Sequence, residues 1–391
     1  MYNLISGEQL ELNKDEEKVI EQLESHKQVG NSQMERDLIT RLIQKKLGNY
    51  FSNKSHIEKI KTNKIASLQY DKLIPFKLNR LVIELTGRCN LDCKFCTKEN
   101  IIYTSCSCKR WDNKKELTFN QWKNIIDQAV KLGVQECFIC GGDPFLKWDT
   151  LKSIINYLDK IGIYCTIFTN GSEIDETVGH FLKTKKVFLA LQVFSVEPKQ
   201  FENITQTRNG FEKVQKCINI IDQHKINHSI SIIVSRLNES SIKDIKGMLG
   251  ERIYQLIYLY PTNKYFSTKM LEQMHNPDLR QFKIDMYSYP FIKKYNNCLY
   301  GQIFVSSEGK VFPCMMLRDF ILGDLISEEL WEIFYRKEHK KFWELSKSRL
   351  DICSNCEKNL TCFDCRALDY YATNRIKGMK YCNKIENIPT V

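Results

Sequence analysis

Cys89-Asn-Leu-Asp-Cys93-Lys-Phe-Cys96 sets three cysteines at C-x3-C-x2-C spacing. Thiols this close on one loop can wrap one corner of an iron–sulfur cubane, and cysteine thiolates are the usual holders of such clusters. Three ligands leave the fourth iron without a protein partner, and an open iron can bind a small molecule. Structural zinc competes for the same residues, but it takes four closed sulfur or nitrogen ligands. No fourth Cys or His lies at zinc-site spacing nearby, although Cys106 and Cys108 could compete.

A second group begins with Cys298 and Cys314, continues as Cys353-x2-Cys356-x5-Cys362-x2-Cys365, and ends at Cys382. A zinc ribbon could use Cys353, Cys356, Cys362 and Cys365, but it would strand the other three. Clusters, not chance, explain seven cysteines at this density. The chain carries 16 cysteines in 391 residues. Its N-terminus lacks the basic flank and apolar stretch of a signal peptide, so a disulfide framework is not expected. Cys137, Cys140, Cys165 and Cys217, with Cys106 and Cys108, read mostly as small buried apolar residues. Cys106-x-Cys108 is the pair to test first.

These residues need a scaffold, and the chain from about residue 79 supplies one. Short apolar runs at Leu81–Leu85, Cys137–Cys140, Tyr164–Phe168, Phe188–Val193, Ser229–Val234 and Leu256–Tyr260 alternate with helical stretches at Phe119–Leu132, Leu151–Ile161, Phe211–His224 and Ser241–Gly247. Alternation of this kind marks βα units around a parallel sheet. Six units fall short of the eight that close a barrel, so the expected fold class is α/β with a partial (β/α)6 barrel. Functional residues then belong at the C-terminal ends of the strands, where the first cysteine loop falls.

Three domains are expected: 1–75, 76–290 and 291–391. The first is a small, charged α+β appendage with a hairpin-like start, Tyr2–Leu12, and helices over Lys14–His26 and Gln33–Phe51. The last carries the second cysteine group, a hairpin-like stretch at Gly301–Phe312 and a helix near Glu329–Ser346.

No apolar run approaches the ~18 residues that cross a bilayer. A cytoplasmic protein without a membrane partner is therefore expected. The formal charge of +11 suits an acidic partner, but no polybasic tract is interleaved with aromatics, so nucleic acid is disfavoured.

The first cysteine group resembles the signature of the radical SAM superfamily, in which an aromatic residue, here Phe95, precedes the third cysteine. The resemblance implies that the open iron chelates S-adenosylmethionine (SAM), that SAM is cleaved reductively to a 5′-deoxyadenosyl radical, and that Phe95 lies near the adenine. Gly141-Gly142-Asp143-Pro144 stands where the family usually has Gly-Gly-Glu-Pro, which implies that backbone and carboxylate receive the SAM ammonium. Asp143 departs from the pattern by one methylene. Thr169-Asn170-Gly171 and Val193-Phe194-Ser195 end the third and fourth strands as the family's ribose- and carboxylate-contacting segments do, and Arg208 stands where the family's arginine pairs with the SAM carboxylate.

The C-terminal group is similar to the SPASM domain of enzymes that act on peptides and proteins. It implies two auxiliary [4Fe–4S] clusters, three in all. Cys353, Cys356, Cys362 and Cys382 would hold the distal one, and Cys298, Cys314 and Cys365 the nearer, leaving an open iron that binds a substrate thiolate or takes a protein or water ligand. The function so implied is a maturase forming a thioether or other crosslink in a ribosomally made precursor peptide, whose leader residues 1–75 would capture by adding it as a strand. A flavodoxin- or ferredoxin-type electron donor is implied as well. The alternatives are a sulfatase-maturing enzyme, against which Met315 stands where that group carries an acid, a non-catalytic iron–sulfur carrier, and an RNA-modifying enzyme.

Overall fold

A computed structural model describes residues 10–24, 32–45, 47, 77–96, 115–259, 263–267, 288–356, 358–362 and 364–382. The expected hairpin start and the Cys106–Cys108 pair lie outside these residues, apart from Leu10–Leu12, which form no strand. The chain divides into two compact units.

The larger unit comprises Phe76–Asn276, Leu299–Trp343 and Cys365–Val391. Its strands are β1 (Arg80–Thr86), β2 (Glu136–Gly141), β3 (Tyr164–Thr169), β4 (Val187–Val193), β5 (His228–Val234), β6 (Tyr254–Tyr258), β7 (Gln302–Val305), β8 (Lys310–Phe312) and β9 (Gly323–Asp324). They form one sheet in the order β6-β5-β4-β3-β2-β1-β7-β8-β9. Pairing is parallel from β6 through β1 to β7; the β7–β8 and β8–β9 pairs are antiparallel. All six expected strands are present. The Gly301–Phe312 stretch is a hairpin, as expected, but its first arm is also a seventh parallel strand, paired from Arg80↔Gln302 to Ile83↔Val305. A parallel strand is covered on both faces, and six of the seven residues of β1 are buried accordingly.

Helices α1 (Phe119–Lys131), α2 (Trp148–Lys160), α3 (Glu176–Lys183), α4 (Pro198–Thr205), α5 (Gly210–His224) and α6 (Ile242–Leu249) connect the strands. Local chemistry starts them. Thr118 and Gln121 form a reciprocal capping box on α1, and the Asp175 carboxylate accepts the Val178 N–H at the head of α3. The helix expected near Glu329–Ser346 is two, Leu330–Tyr335 and Lys340–Trp343, separated where Lys337 takes a φ of 62°.

On one face of the sheet Val82, Cys140, Phe304 and Phe312 form an apolar cluster joined by Phe138, Phe168 and Met315. Period-two alternation puts Glu84 on that face too. It is wholly buried and is met by Arg318, whose two terminal nitrogens lie 2.8 and 3.1 Å from its oxygens. The guanidinium lies 4.7 Å from the Phe304 centroid, Arg318 Nε donates to Met315 O, and Ser307 N–H donates to Glu84.

The smaller unit comprises Met1–Pro75, Pro277–Cys298 and Glu344–Asp364. Helices Lys14–Glu24 and Gln33–Gln44 pack through Val19, Leu38 and Leu42, with Leu10 alongside. Both begin where expected. Among the described residues, no helix is long and apolar enough to cross a membrane.

Candidate functional site

Cys89, Cys93 and Cys96 sit on the loop that leaves β1, and four neighbouring segments hold it. Asp143 N–H donates to Arg88 O at 2.8 Å and Gly142 N–H to Thr86 O at 2.9 Å, tying it to the Gly141–Pro144 turn. Asp92 and Lys94 donate their N–H groups to Thr205 and Ile204 at the end of α4, both at 2.9 Å. Asn263 Nδ2 donates to Phe95 O at 2.9 Å. The Asn170 side chain donates to Asn90 Oδ1 at 3.0 Å and towards Cys89 Sγ at 3.7 Å, while Asn90 donates to Ser172 and Glu173. A register shift between β1 and β2 falls at Glu84–Thr86, just before the loop, a usual place for a strand to re-aim its exit.

The two glycines have a steric reason. A Cβ on Gly141 would sit 2.3 Å from Thr86 O, and one on Gly142 2.0 Å from Arg88 O. Both obstacles are backbone and cannot swing aside. Gly142→Ala should therefore displace the cysteine loop and lower SAM affinity at least about tenfold, in line with overpacking costs of ~1–3 kcal/mol. Gly247→Ala, in α6 with nothing within 4 Å of the added atom, should bind SAM normally and be as stable or slightly more so. Equilibrium dialysis with SAM and denaturant unfolding of both proteins check this.

Asp143 is completely buried. One carboxylate oxygen accepts the Phe145 N–H at 3.0 Å, the other accepts Thr169 Oγ1–H at 2.8 Å and Asn170 N–H at 2.9 Å. Burial pushes its pKa up to about 6, against these three donors. Both oxygens thus accept from the protein, Oδ1 once and Oδ2 twice, which fixes the carboxylate beside the turn's backbone. The hydroxyl of Ser195 is likewise engaged, donating to Gln200 Oε1 at 2.7 Å and accepting the Glu197 N–H ahead of α4. Phe95 is buried, 5.9 Å from Phe194 between ring centroids. Arg208 is not brought to this network; its side chain is 91% exposed and lies 3.7 Å from Glu202.

Burial raises the thiol pKa of Cys137 and Cys217, and carries that of Cys165 up to about 12. These thiols stay protonated, as small apolar residues rather than ligands. Cys89, Cys93 and Cys96 present a different donor set. Three sulfurs share one pinned loop, with Leu91 N–H and Asn170 Nδ2 directed at Cys89 Sγ. That chemistry fits a three-cysteine iron–sulfur cluster, whose sulfurs accept such hydrogen bonds.

Of the second cysteine group, the smaller unit contains Cys298, Cys353, Cys356 and Cys362, and the larger Cys314, Cys365 and Cys382. Cys298 and Cys362, which the resemblance divides between two clusters, line one cavity of about 250 Å³ with Tyr295, Asn296, Lys347 and Asp364. Asn296 links its two sides, accepting the Cys298 N–H at 3.0 Å and donating to Asp364 at 2.9 Å. Cys314 Sγ accepts the Met316 N–H at 3.5 Å, and Cys365 precedes the helix Arg366–Thr373.

Two residues escape a sequence reading. Glu116, its side chain 3% exposed, is reached by the Thr86 hydroxyl, Arg88 and Lys147; it braces the β1 exit from a distant segment. Gln192 lies on β4 opposite Ser231, and its face is that of Ala190, the partner of Phe168. Its Nε2 is buried without a hydrogen-bond partner among the described residues. An orphan donor costs ~1–3 kcal/mol, so this one suits an acceptor on a bound ligand.

The chain matches the radical SAM superfamily over residues 83–249 and SPASM, an iron–sulfur cluster-binding domain, over residues 297–357. The chain belongs to the radical SAM superfamily. It is accordingly an enzyme that works with SAM and [4Fe–4S] clusters, which sets aside the non-catalytic alternative. Among curated relatives, AdoMet-dependent heme synthase of Methanosarcina barkeri is 23% identical over 343 residues, 76% of this chain and 94% of that protein. The antilisterial bacteriocin subtilosin biosynthesis protein AlbA of Bacillus subtilis is 23% identical over 295 residues, 71% of this chain and 63% of AlbA. Streptococcus suis SuiB, solved bound to its precursor peptide SuiA, superposes with a TM-score of 0.52 at 15% identity, covering 88% of this chain and 86% of SuiB. This likeness concerns the radical SAM and SPASM fold alone.

Proposed function

We propose that this radical SAM enzyme matures a ribosomally made precursor peptide, forming a thioether or another crosslink. The observation that carries the reading is the joint occurrence of the SAM-type loop at Cys89–Cys96 and a SPASM region rich in further cysteines. One relative is a bacteriocin biosynthesis protein, and a fold neighbour has been solved bound to a precursor peptide. When bound, cluster and SAM supply a one-electron cleavage whose deoxyadenosyl radical takes hydrogen from a C–H bond. The chain's own residues hold the reactants. Cys89, Cys93 and Cys96 would ligate the iron, the Gly141–Asp143 backbone would take the SAM ammonium, and Gln192 would donate to an acceptor on the sheet face it shares with Ala190. Thr169, Asn170, Ser195 and Phe95 complete the proposed set of SAM-side residues; Arg208, exposed beside Glu202, stands outside it.

The remaining seven cysteines would hold two auxiliary clusters, for three in all, with a flavodoxin- or ferredoxin-type protein as electron source. Residues 1–75 would engage the leader, and the enzyme's net positive charge suits an acidic one.

The test is anaerobic incubation of reconstituted enzyme with SAM, reductant and the peptide encoded beside it. Formation of 5′-deoxyadenosine together with a peptide lighter by two hydrogens per crosslink is expected. Deoxyadenosine formation that depends on a haem precursor instead, with the peptide mass unchanged, would replace this reading by that of the heme-synthase relatives.

A further inference from the structure

Away from the cysteine loop, α3 and α5 bring three metal-binding side chains to one point. Glu176 and His180 stand at i and i+4 on α3, hence on one face. His224 ends α5 against them. Its Nε2 lies 2.9 Å from Glu176 Oε2, and its ring centroid 4.4 Å from that of His180. One ligand atom from each of the three lies within 4.8 Å of the other two. Ligand atoms bound at ~2.0–2.2 Å in a tetrahedron sit roughly 3.4 Å apart, so the group closes on an ion with about an ångström of movement. The exposed His180 and Glu176 are free to rotate by that much.

The surroundings are shaped for the buried imidazole. A Cβ on Gly179 would lie 2.9 Å from His224 Cδ2 and 2.5 Å from Ile220 Cγ2. Glycine inside a helix costs ~1 kcal/mol relative to alanine, and here the space it leaves is filled by His224. An ion pair between His224 and Glu176 accounts for two members of the group. It gives His180 no role, and among the described residues that ring has no hydrogen-bond partner.

We propose that Glu176, His180 and His224 bind a divalent transition-metal ion, zinc above all, with water as fourth ligand. Two imidazoles and one carboxylate are a donor set that zinc takes. The ion clamps α3 to α5. On α5, Cys217 backs the loop that carries Asn170, for a Cβ on Gly171 would meet its Sγ at 2.8 Å. A clamp here therefore stiffens the wall behind the cysteine loop.

Untagged, fully reconstituted holoenzyme, its cluster cysteines occupied, would be stripped of loose metal and titrated anaerobically with zinc sulfate. Wild type should take up one zinc per chain more than His180→Gln and Glu176→Gln, two exposed positions whose exchange leaves folding intact. Zinc should raise the unfolding temperature of the wild type by a few degrees and of neither variant. The zinc X-ray absorption edge should show nitrogen and oxygen neighbours at ~2.0–2.2 Å. Equal uptake by wild type and variants, or a sulfur-dominated zinc shell, would overturn the assignment.

Discussion

Cys93→Ala should abolish SAM cleavage while leaving the fold intact. The loop's position depends on backbone groups, the N–H donors of Asp92 and Lys94 and the carbonyls of Thr86 and Arg88, and none of these bonds uses the Cys93 thiol. Removing that sulfur therefore subtracts a ligand without releasing the loop. Enzymatic accelerations begin at about 10⁶, so 5′-deoxyadenosine formation should fall by at least about 10³. Iron and sulfide content should drop with it, and far-ultraviolet circular dichroism should not change. Cys137→Ala is the matched control: its buried, protonated thiol can be lost for a packing cost alone, with cleavage retained. Undiminished cleavage by the Cys93 variant would refute the ligand assignment.

The second large effect concerns stability. Arg318→Met should destabilise the protein by ~3–5 kcal/mol, because it strands Glu84, which has no solvent exposure, as an uncompensated buried charge. Changing both partners, Glu84→Leu with Arg318→Met, should restore most of the loss, since an apolar pair of similar volume is often neutral or better. Denaturant unfolding of the reconstituted proteins measures this. Equal losses in the single and double variants would mean that the packing of Arg318 over Phe304 matters more than its charge.

Much of this architecture was legible in the sequence. Buried parallel strands are continuous apolar runs, and six of them stood between helical stretches of familiar length. At eight residues each, α3, α4 and α6 are all shorter than the window over which helical periodicity declares itself; α6 was expected, α3 and α4 were not. The four-residue β7 was legible as a hairpin arm, which it is; its parallel partner lies at the other end of the barrel sequence, and no local pattern encodes that. Cysteine spacing is a one-dimensional signal and marked the loop at once. The Asn170–Cys89 and Glu84–Arg318 contacts join residues far apart in the chain, and a glutamine in a strand reads as solvent-facing until the sheet's faces are known. Asp143 shows the complementary case, a residue in the expected place whose bonds to Phe145, Thr169 and Asn170 no local pattern announced.

The pairing of β1 with β7 bears on how the protein is made. Arg80 meets Gln302 across that junction, so on the ribosome the outer edge of β1 waits for more than two hundred further residues. At ~5–20 residues per second the wait is roughly 10–45 s. Throughout it a nascent chain bearing the reactive cysteine loop also presents an open row of backbone donors and acceptors, the kind of edge on which strands of other chains add. Splitting the gene between its two family regions would make that interval permanent.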